Sequence, residues 1–322
     1  MARIHEHADP FEISIESLAD TAIAVDAHLM LYREIKAKRG NRGKAIMNDD
    51  GEPISHILGV WQKTAYYLKN DITPVYVFEG GMPDLKIEEN ERRKERSVNA
   101  RENYEKAKEE GDEEGMKRWG ARAARLSFDE VDEVKELLGV MGVPVVEAPS
   151  EADPQCAQLN KEGTVEYVYT EDFDHLLHGA DSLLRRLKRG KGEMVSRKQI
   201  LDDLGYSHDQ LVWRQIVAGC DYNNSPEQVA WGRAGGIIEG CESFEQVIES
   251  ALDYCSSRDE LAWSPDRWRE VWGWFQEPEV DENVSIDTGY MSPSETRELL
   301  VDVYGLDSSR VQTQLRDIVE DR

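Results

Sequence analysis

The sequence predicts an α/β fold in which a central, mostly parallel sheet is flanked by helices. Two short runs rich in β-branched and aromatic residues, 143–146 and 165–169, are typical of buried strands, and a helical stretch separates them. A pair of carboxylates follows each run, and the four residues are Glu151, Asp153, Asp172 and Asp174. Because ligands bind beyond the carboxyl ends of parallel strands, we expect these four carboxylates to share one site.

Carboxylates also follow apolar runs elsewhere in the chain, at Asp26, Glu79 and Asp221. With 65 Asp and Glu among 322 residues, chance alone produces roughly 13 acidic pairs two positions apart, so a bare pair is a weak signal. Position directly after an apolar strand is the stronger signal, because an unpaired charge is costly there. Converging carboxylates repel one another without a cation, and oxygen-only ligand sets suit Mg²⁺ or Mn²⁺. The pattern therefore predicts a two-metal site for phosphodiester hydrolysis.

The net charge of −26 is unusual for a nucleic-acid-binding protein, because such proteins are usually basic. Either the protein avoids DNA, or it is adapted to molar salt inside a halophile. The acidic residues are spread over every segment rather than held in one tail, which favours the halophilic explanation. A chain of 322 residues buries a substantial core, as one large domain or as two lobes.

The four cysteines are scattered without metal-ligand spacing, and no apolar run approaches membrane-spanning length. No signal peptide opens the chain. We therefore expect a reduced, cytoplasmic protein that does not contact a membrane.

Residues 1–20 are polar, and we expect them to be irregular. A helix follows Asp26 and ends in basic residues that include Arg39 and Arg42, which either hold phosphates or form a solvated helix end. Next, an amphipathic helix is predicted over 53–70 and a strand over 74–78.

Residues 86–125 are highly charged and nearly free of aliphatic side chains. Such a stretch cannot build a core, so it projects into solvent or becomes ordered around a ligand. Arg118, Arg122 and Arg125 are spaced to share one face of a helix. Taken alone, the segment is also typical of an exposed helical hairpin with ion pairs along each helix.

Beyond this charged stretch, Ser150 is a plausible N-cap for a helix that carries Glu151 and Asp153. His175 and His178 are candidate metal ligands, although helix positions beside the site are the favoured interpretation. A strand is predicted over 182–187 and a helix over 209–218, and the four tryptophans Trp263, Trp268, Trp272 and Trp274 are expected in the core.

Five segments together resemble the signature blocks of the flap endonucleases, which are structure-specific 5′ nucleases, and the archaeal type is the most similar. They are Ala-Val-Asp26-Ala, Val-Phe-Glu79-Gly, Ser-Glu151-Ala-Asp153, Glu-Asp172-Phe-Asp174 and Gly-Cys-Asp221-Tyr. The resemblance implies a PIN-like nuclease core over 21–220 after a divergent leader, 1–20. It also implies a helical arch over about 84–126 and a helical DNA-binding region over 221–322.

The resemblance also implies roles for individual residues. Glu151 and Asp153 would mainly serve a first Mg²⁺, and Asp172, Asp174 and Asp221 a second, with Mn²⁺ as a substitute. Asp26 and Glu79 would lie near the first ion or between the two. Because Glu79 is one methylene longer than the aspartate usual in the family, we expect it to act through water.

Further roles concern the DNA. Lys86 and Arg93 match arch residues that steer and polarise the scissile phosphate. Tyr32 matches an aromatic residue on which the base beside the scissile bond stacks, and Arg39 matches a basic residue that contacts the duplex.

The chain departs from the family pattern at both ends. Ala2 stands where a glycine is usual. The duplex-binding loop of the expected helix–loop–helix is degenerate, with Gly232 in one glycine position and Arg233 as a substitute for a lysine. The resemblance implies K⁺ as a candidate ligand of this loop. The segment with Gln312, Leu315, Ile318 and Val319 has the spacing of a sliding-clamp motif, but both aromatic anchors are absent. We expect an ordinary helix there, no clamp binding, and a monomer.

The predicted function is metal-dependent cleavage of 5′-flap or branched DNA in replication and repair. One alternative is a catalytically silent protein that binds DNA junctions and keeps the fold. Another is an RNA-cleaving nuclease of the same architecture.

Overall fold

The computed structural model describes residues 3–40, 43–226, 229–255 and 263–320; Ala2 and Arg42 lie outside these ranges. Its centre is a seven-stranded sheet in the order β1-β7-β6-β5-β2-β3-β4. The strands are β1 Phe11–Ser14, β2 Ala22–Asp26, β3 Thr73–Phe78, β4 Val145–Glu147, β5 Tyr167–Tyr169, β6 Ser182–Lys188 and β7 Lys191–Ser196. Four of the six pairings are parallel, which confirms a mostly parallel sheet.

Helices cover both faces of the sheet. They are α1 Ala27–Ala37, α2 Ser55–Lys69, α3 Ile87–Glu110, α4 Glu113–Ala123, α5 Phe128–Val140, α6 Ala152–Lys161, α7 Asp174–Leu177, α8 Arg197–Leu204, α9 His208–Ala218, α10 Trp231–Ile238, α11 Phe244–Cys255, α12 Pro265–Gln276, α13 Pro293–Arg297 and α14 Ser308–Glu320. Alternate strand residues point to opposite faces. Ala24 therefore packs in one core, against α6 and α9, while Ile23 and Val25 pack in the other, against α2 and α5.

Residues 1–20 are not irregular throughout, because β1 forms the edge of the sheet. Phe11 of β1 pairs with Met194 of β7 in an antiparallel ladder. The strands β6 and β7 form a hairpin whose turn contains Arg189 (φ 53°) and Gly190 (φ 80°), both in the left-handed region. The pairing of β1 joins segments far apart in sequence, so local pattern does not reveal it.

The charged segment folds into two antiparallel helices, α3 and α4, joined at Gly111, which caps α3 in the left-handed conformation. Ala100, Ala107 and Met116 supply its few buried apolar side chains. The prediction that Arg125 shares a face with Arg118 and Arg122 is wrong, because α4 ends at Ala123. The chain then extends toward Ser127, whose capping box with Glu130 starts α5.

The final helix, α14, packs against α2. Gln314 accepts a hydrogen bond from Trp61 Nε1 at 2.8 Å, and Leu315 and Ile318 are buried. The segment with clamp-like spacing is therefore a helix of the fold, as expected. The tryptophans contribute to the other core, where the rings of Trp263 and Trp268 stack at 4.0 Å. Among the described residues, no helix is long and apolar enough to span a membrane.

Candidate active site

The carboxyl edge of the parallel strands brings the predicted carboxylates to one place. Asp26 ends β2 and caps α1, because its Oδ1 accepts a hydrogen bond from Leu29 N at 2.9 Å. Glu79 follows β3 directly, and Asp172 and Asp174 follow β5. Asp221 arrives from a different direction, at the end of the segment that leaves α9.

Glu151 and Asp153 lie at the start of α6. The N-cap is Glu151 itself, not Ser150 as predicted, and its side chain makes no capping hydrogen bond. Ser150 Oγ instead donates to Gly81 O at 3.1 Å. Ser150 thus helps to join the loop after β4 to the loop after β3.

Gly80 makes this joining of loops possible. Its amide donates to Ser150 O at 2.8 Å, and a Cβ at Gly80 would lie 2.1 Å from Ala148 O. Only glycine permits so close an approach of two backbones. The contact holds Glu79 beside Glu151 at the mouth of the site.

The carboxylates interact electrostatically as one group. Burial raises the pKa of Asp26 well above its usual range, and the charges of Asp153, Glu79 and Asp172 raise it further. Burial likewise raises the pKa of Asp174 well above its usual range, with added effects of Asp172, Asp153 and Asp221. Mutual repulsion of this kind is what a bound cation relieves.

Glu151 is buried and has two partners. Lys86 Nζ forms an ion pair with its Oε1, and Tyr222 donates a hydrogen bond to its Oε2 at 2.6 Å. Burial raises the pKa of Glu151 despite the opposing effect of Lys86. For Lys86, burial lowers the pKa, but Asp153 and Glu151 outweigh burial and raise it overall. Lys86 is therefore a fixed positive charge at the site.

Arg93 reaches the site from the arch helix α3. Its guanidinium forms an ion pair with Asp221 and another, at 3.2 Å, with Glu89. A cavity of about 270 Å³ lies between the arch and the carboxylates, lined by Glu79, Lys86, Asn90, Arg93 and Glu151 among others. The two side chains predicted to be catalytic, Lys86 and Arg93, thus line one cavity together with the predicted metal ligands Glu79 and Glu151.

Among the described residues, one set of three side chains lies close enough together to hold a metal ion. Single ligand atoms of Asp26, Asp153 and His175 all lie within 4.8 Å of one another. His175 is on α7, as expected for a helix position beside the site, but its ring faces the carboxylates. His178 packs its ring against Phe275 at 4.9 Å.

Comparison with known proteins identifies the family. Residues 3–100 match the XPG N-terminal domain, and residues 142–221 match the XPG I-region. Flap endonuclease 1 of Leishmania major is 34% identical over 296 residues, spanning 88% of this chain and 73% of the relative. The chain belongs to the flap endonuclease family. It is a nuclease, and its α/β architecture is that of the family.

Other relatives and solved structures agree. Flap endonuclease 1 of Danio rerio is 34% identical over 291 residues, spanning 88% of this chain and 75% of the relative. The structure of flap endonuclease-1 from Methanococcus jannaschii has a TM-score of 0.75 at 28% identity, covering 100% of this chain and 98% of that one. The catalytic core of Rad2 in complex with DNA substrate has a TM-score of 0.73 at 24% identity, covering 98% and 97%, and supports the fold.

In this flap endonuclease, the DNA-binding residues expected on the arch and α1 occupy different environments. Tyr32 is half-buried on α1, with Lys36 Nζ 5.6 Å from its ring centroid. Arg39 is also half-buried, and its Nη1 donates to Gly43 O at 3.3 Å. Burial lowers the pKa of Arg39. Arg39 therefore lies beside the arch helix α3, near Tyr104, rather than fully on the surface.

The arginines Arg118, Arg122 and Arg125 divide into two groups, because only the first two lie on α4. Arg118 and Arg122 are exposed, and each guanidinium lies 5.0 Å from the ring centroid of Trp119. Arg125 turns back onto α3, where it donates to Ser97 Oγ at 2.9 Å and to Lys94 O at 3.1 Å. Arg125 thus ties the segment that follows α4 to α3.

The helix–loop–helix consists of α9, residues 219–230 and α10, of which 227–228 lie outside the described residues. Gly232 and Arg233 are exposed in the first turn of α10. A Cβ at Gly232 would meet no atom within 4 Å, so this glycine leaves the helix surface open.

Sequence reasoning missed three residues that organise the site. Tyr222 binds Glu151 and lies directly after Asp221, so adjacency to a predicted ligand was the available signal. Glu89 binds Arg93 from one helical turn away. Arg267 donates to Tyr222 O at 2.9 Å and also to the carbonyl of Leu85, just before Lys86. No local pattern marks Arg267.

Proposed function

We propose that the chain cleaves 5′-flap or branched DNA by two-metal hydrolysis. The observation that carries this proposal is the convergence of seven carboxylates in one electrostatic group, at a cavity where the helical arch places Lys86 and Arg93. Their number argues against a catalytically silent junction binder, because clustered acids that include the buried Asp26 and Glu151 destabilise a fold unless they bind cations.

The proposed metal is Mg²⁺, two per site, with Mn²⁺ as a substitute. When bound, the ions supply an activated water and stabilise the leaving oxygen. Glu151 and Asp153 would hold mainly the first ion and Asp172, Asp174 and Asp221 the second. Asp26 would act between them, and Glu79, exposed at the rim, through water. The oxygen donors suit both ions.

Lys86 and Arg93 are proposed to act on the scissile phosphate. In the protein alone they are paired with Glu151 and Asp221, at the cavity that lies beside the metal ligands. When a phosphate and metal cations enter together, the phosphate would pair with Lys86 and Arg93, and the cations would neutralise the carboxylates that these two side chains leave. Preorganised positive charge of this kind stabilises the transition state more than the ground state.

We further propose how the DNA is held. Tyr32 provides a stacking surface near the site, and Arg39, Arg118, Arg122 and Arg125 line or stiffen the arch for a single-stranded flap. The region 221–322 would grip the duplex through the first turn of α10, at Gly232 and Arg233, with K⁺ as a candidate ligand of that loop. The proposed domain division is a leader over 1–20, the nuclease core over 21–220 and this DNA-binding region over 221–322.

We propose an archaeal-type enzyme, and the charge of −26 supports one that works in the molar salt of a halophile's cytoplasm. Phosphate contacts by Lys and Arg weaken steeply as salt rises, so the metals and base stacking would contribute more of the affinity. We also propose that it acts as a monomer. It would act without the clamp, because Leu315 and Ile318 of the clamp-like segment are buried in the fold.

The test is cleavage of a single labelled 5′-flap DNA and a matched RNA, with Mg²⁺, from dilute buffer to molar KCl. We expect Mg²⁺-dependent cleavage of the flap DNA that persists or peaks in molar KCl, with the fold weakening as salt is removed. Cleavage of RNA alone would overturn the proposed substrate. Full activity and stability in dilute buffer, with inhibition by moderate salt, would overturn the halophilic proposal.

A further inference from the structure

Two buried histidines lie beside the carboxylates, and neither has a hydrogen-bond partner for its ring nitrogens within the described part of the chain. His178 is accounted for by packing, because its ring lies against Phe275 in an apolar environment. His175 is completely buried, yet its ring faces Asp26 and Asp153. A metal site built from oxygen ligands alone gives this imidazole no role.

The position of the His175 ring is specific. Its Nε2 lies 3.2 Å from Asp153 Oδ1 and 4.0 Å from Asp26 Oδ2, but is not aligned to form a hydrogen bond with either. A buried polar atom without a partner is unfavourable, because it has lost its hydrogen bond to water. A cation between the three side chains would satisfy the nitrogen and both oxygens together.

The separations of these atoms fit such a cation. In an octahedral shell with bonds of about 2.1 Å, neighbouring ligand atoms lie about 3.0 Å apart and opposite ones about 4.2 Å apart. The three ligand atoms of Asp26, Asp153 and His175 lie within 4.8 Å of one another, and two separations are 3.2 and 4.0 Å. Small side-chain adjustments therefore suffice to bring all three to a common ion.

We propose that His175 Nε2 is a nitrogen ligand of the ion held by Asp26 and Asp153, and that it shifts this position of the site toward Mn²⁺ and other first-row transition ions over Mg²⁺. The inference rests on the proposed metal-dependent function and deepens it. Imidazole suits transition ions, whereas Mg²⁺ prefers oxygen ligands and retains its waters. His175 is also rigid, since its ring is enclosed by the core.

The direct test is the nuclear coupling of bound Mn²⁺ in the whole protein. Electron–nuclear double resonance of the Mn²⁺-loaded enzyme should show a ¹⁴N coupling, replaced by a ¹⁵N coupling when the protein is made with ¹⁵N-histidine. This measurement uses the unaltered chain, so it does not depend on a variant that folds.

Variants then assign the nitrogen and the selectivity. His175→Ala should remove the coupling and lower Mn²⁺ affinity at least about tenfold, with Mg²⁺ affinity nearly unchanged. The matched control is His178→Gln, which alters a buried histidine of the same segment. It should keep both the coupling and the preference for Mn²⁺.

The outcomes separate this inference from the proposed function. Bound Mn²⁺ without histidine coupling, together with flap cleavage, would overturn the role of His175 and leave the nuclease proposal standing. Loss of the coupling in His178→Gln but not in His175→Ala would overturn the assignment of the ligand. A protein that binds neither ion and cleaves nothing would overturn both.

Discussion

Replacing Asp153 with asparagine should stabilise the metal-free protein. One oxygen of Asp153 lies within 4.8 Å of one of Asp26. Two unit charges at that distance repel by about 3 kcal/mol at an effective dielectric constant near 20. Asparagine removes the charge and keeps a similar shape. Because Lys86 attracts the Asp153 carboxylate, the net gain should be smaller, about 1–2 kcal/mol.

The pH dependence gives the sign of this effect. Burial raises the pKa of Asp153 in the folded protein, and Asp172 and Glu79 raise it further. An acid whose pKa is higher in the folded than in the unfolded protein stabilises the fold while the pH is below the unfolded-state value, about 3.9. This stabilisation is lost as the pH rises through the pKa of the folded state. The advantage of Asp153→Asn should therefore be full near pH 8 and vanish near pH 4.

Divalent cations should reverse the order of stability. An ion at a hundred times its dissociation constant stabilises the native protein by about 2.7 kcal/mol, and the variant should lose most of this gain. The assay is urea unfolding at constant high KCl, in EDTA and in Mg²⁺, with Asp203→Asn as a control at an exposed acid on α8. If Asp153→Asn were less stable than the parent in EDTA at pH 8 and gained equally from Mg²⁺, the repulsion argument would be refuted.

Three further changes test other parts of the site. Asp174→Ala should abolish cleavage. DNA binding, measured by fluorescence anisotropy, should stay equal or become tighter, because a negative charge facing phosphate is removed. Retained Mg²⁺-dependent cleavage would contradict the role of Asp174. Lys86→Ala should lower kcat by about 10²–10³ in single-turnover cleavage, and an unchanged rate would exclude it from the chemistry. Gly80→Ala should cost about 1–3 kcal/mol in urea unfolding, because its Cβ would lie 2.1 Å from Ala148 O. Gly81→Ala is the control, since its Cβ would lie 3.6 Å from the nearest atom, and equal losses would argue against the close approach.

Much of the fold was predictable because it is encoded locally. The apolar run before Glu79 predicts β3, and the run of helical period over 53–70 predicts α2, which the structure places at Ser55–Lys69. The charged composition of residues 86–125 predicts helices outside the core. The order of strands and acids also led to the flap endonuclease family, which comparison confirms.

Tertiary structure alone decided which groups meet. The ion pair between Arg93 and Asp221 joins residues 128 positions apart, and the hydrogen bond from Tyr222 to Glu151 spans 71. The orientation of the His175 ring toward Asp26 depends on how α7 packs against α6, α9 and β6, which the position of His175 next to Asp174 in the sequence does not reveal. Local propensity acts over a few residues, whereas these contacts form only when the strands assemble into the sheet. Burial then requires each charged side chain to pair with a group that the fold has brought close to it.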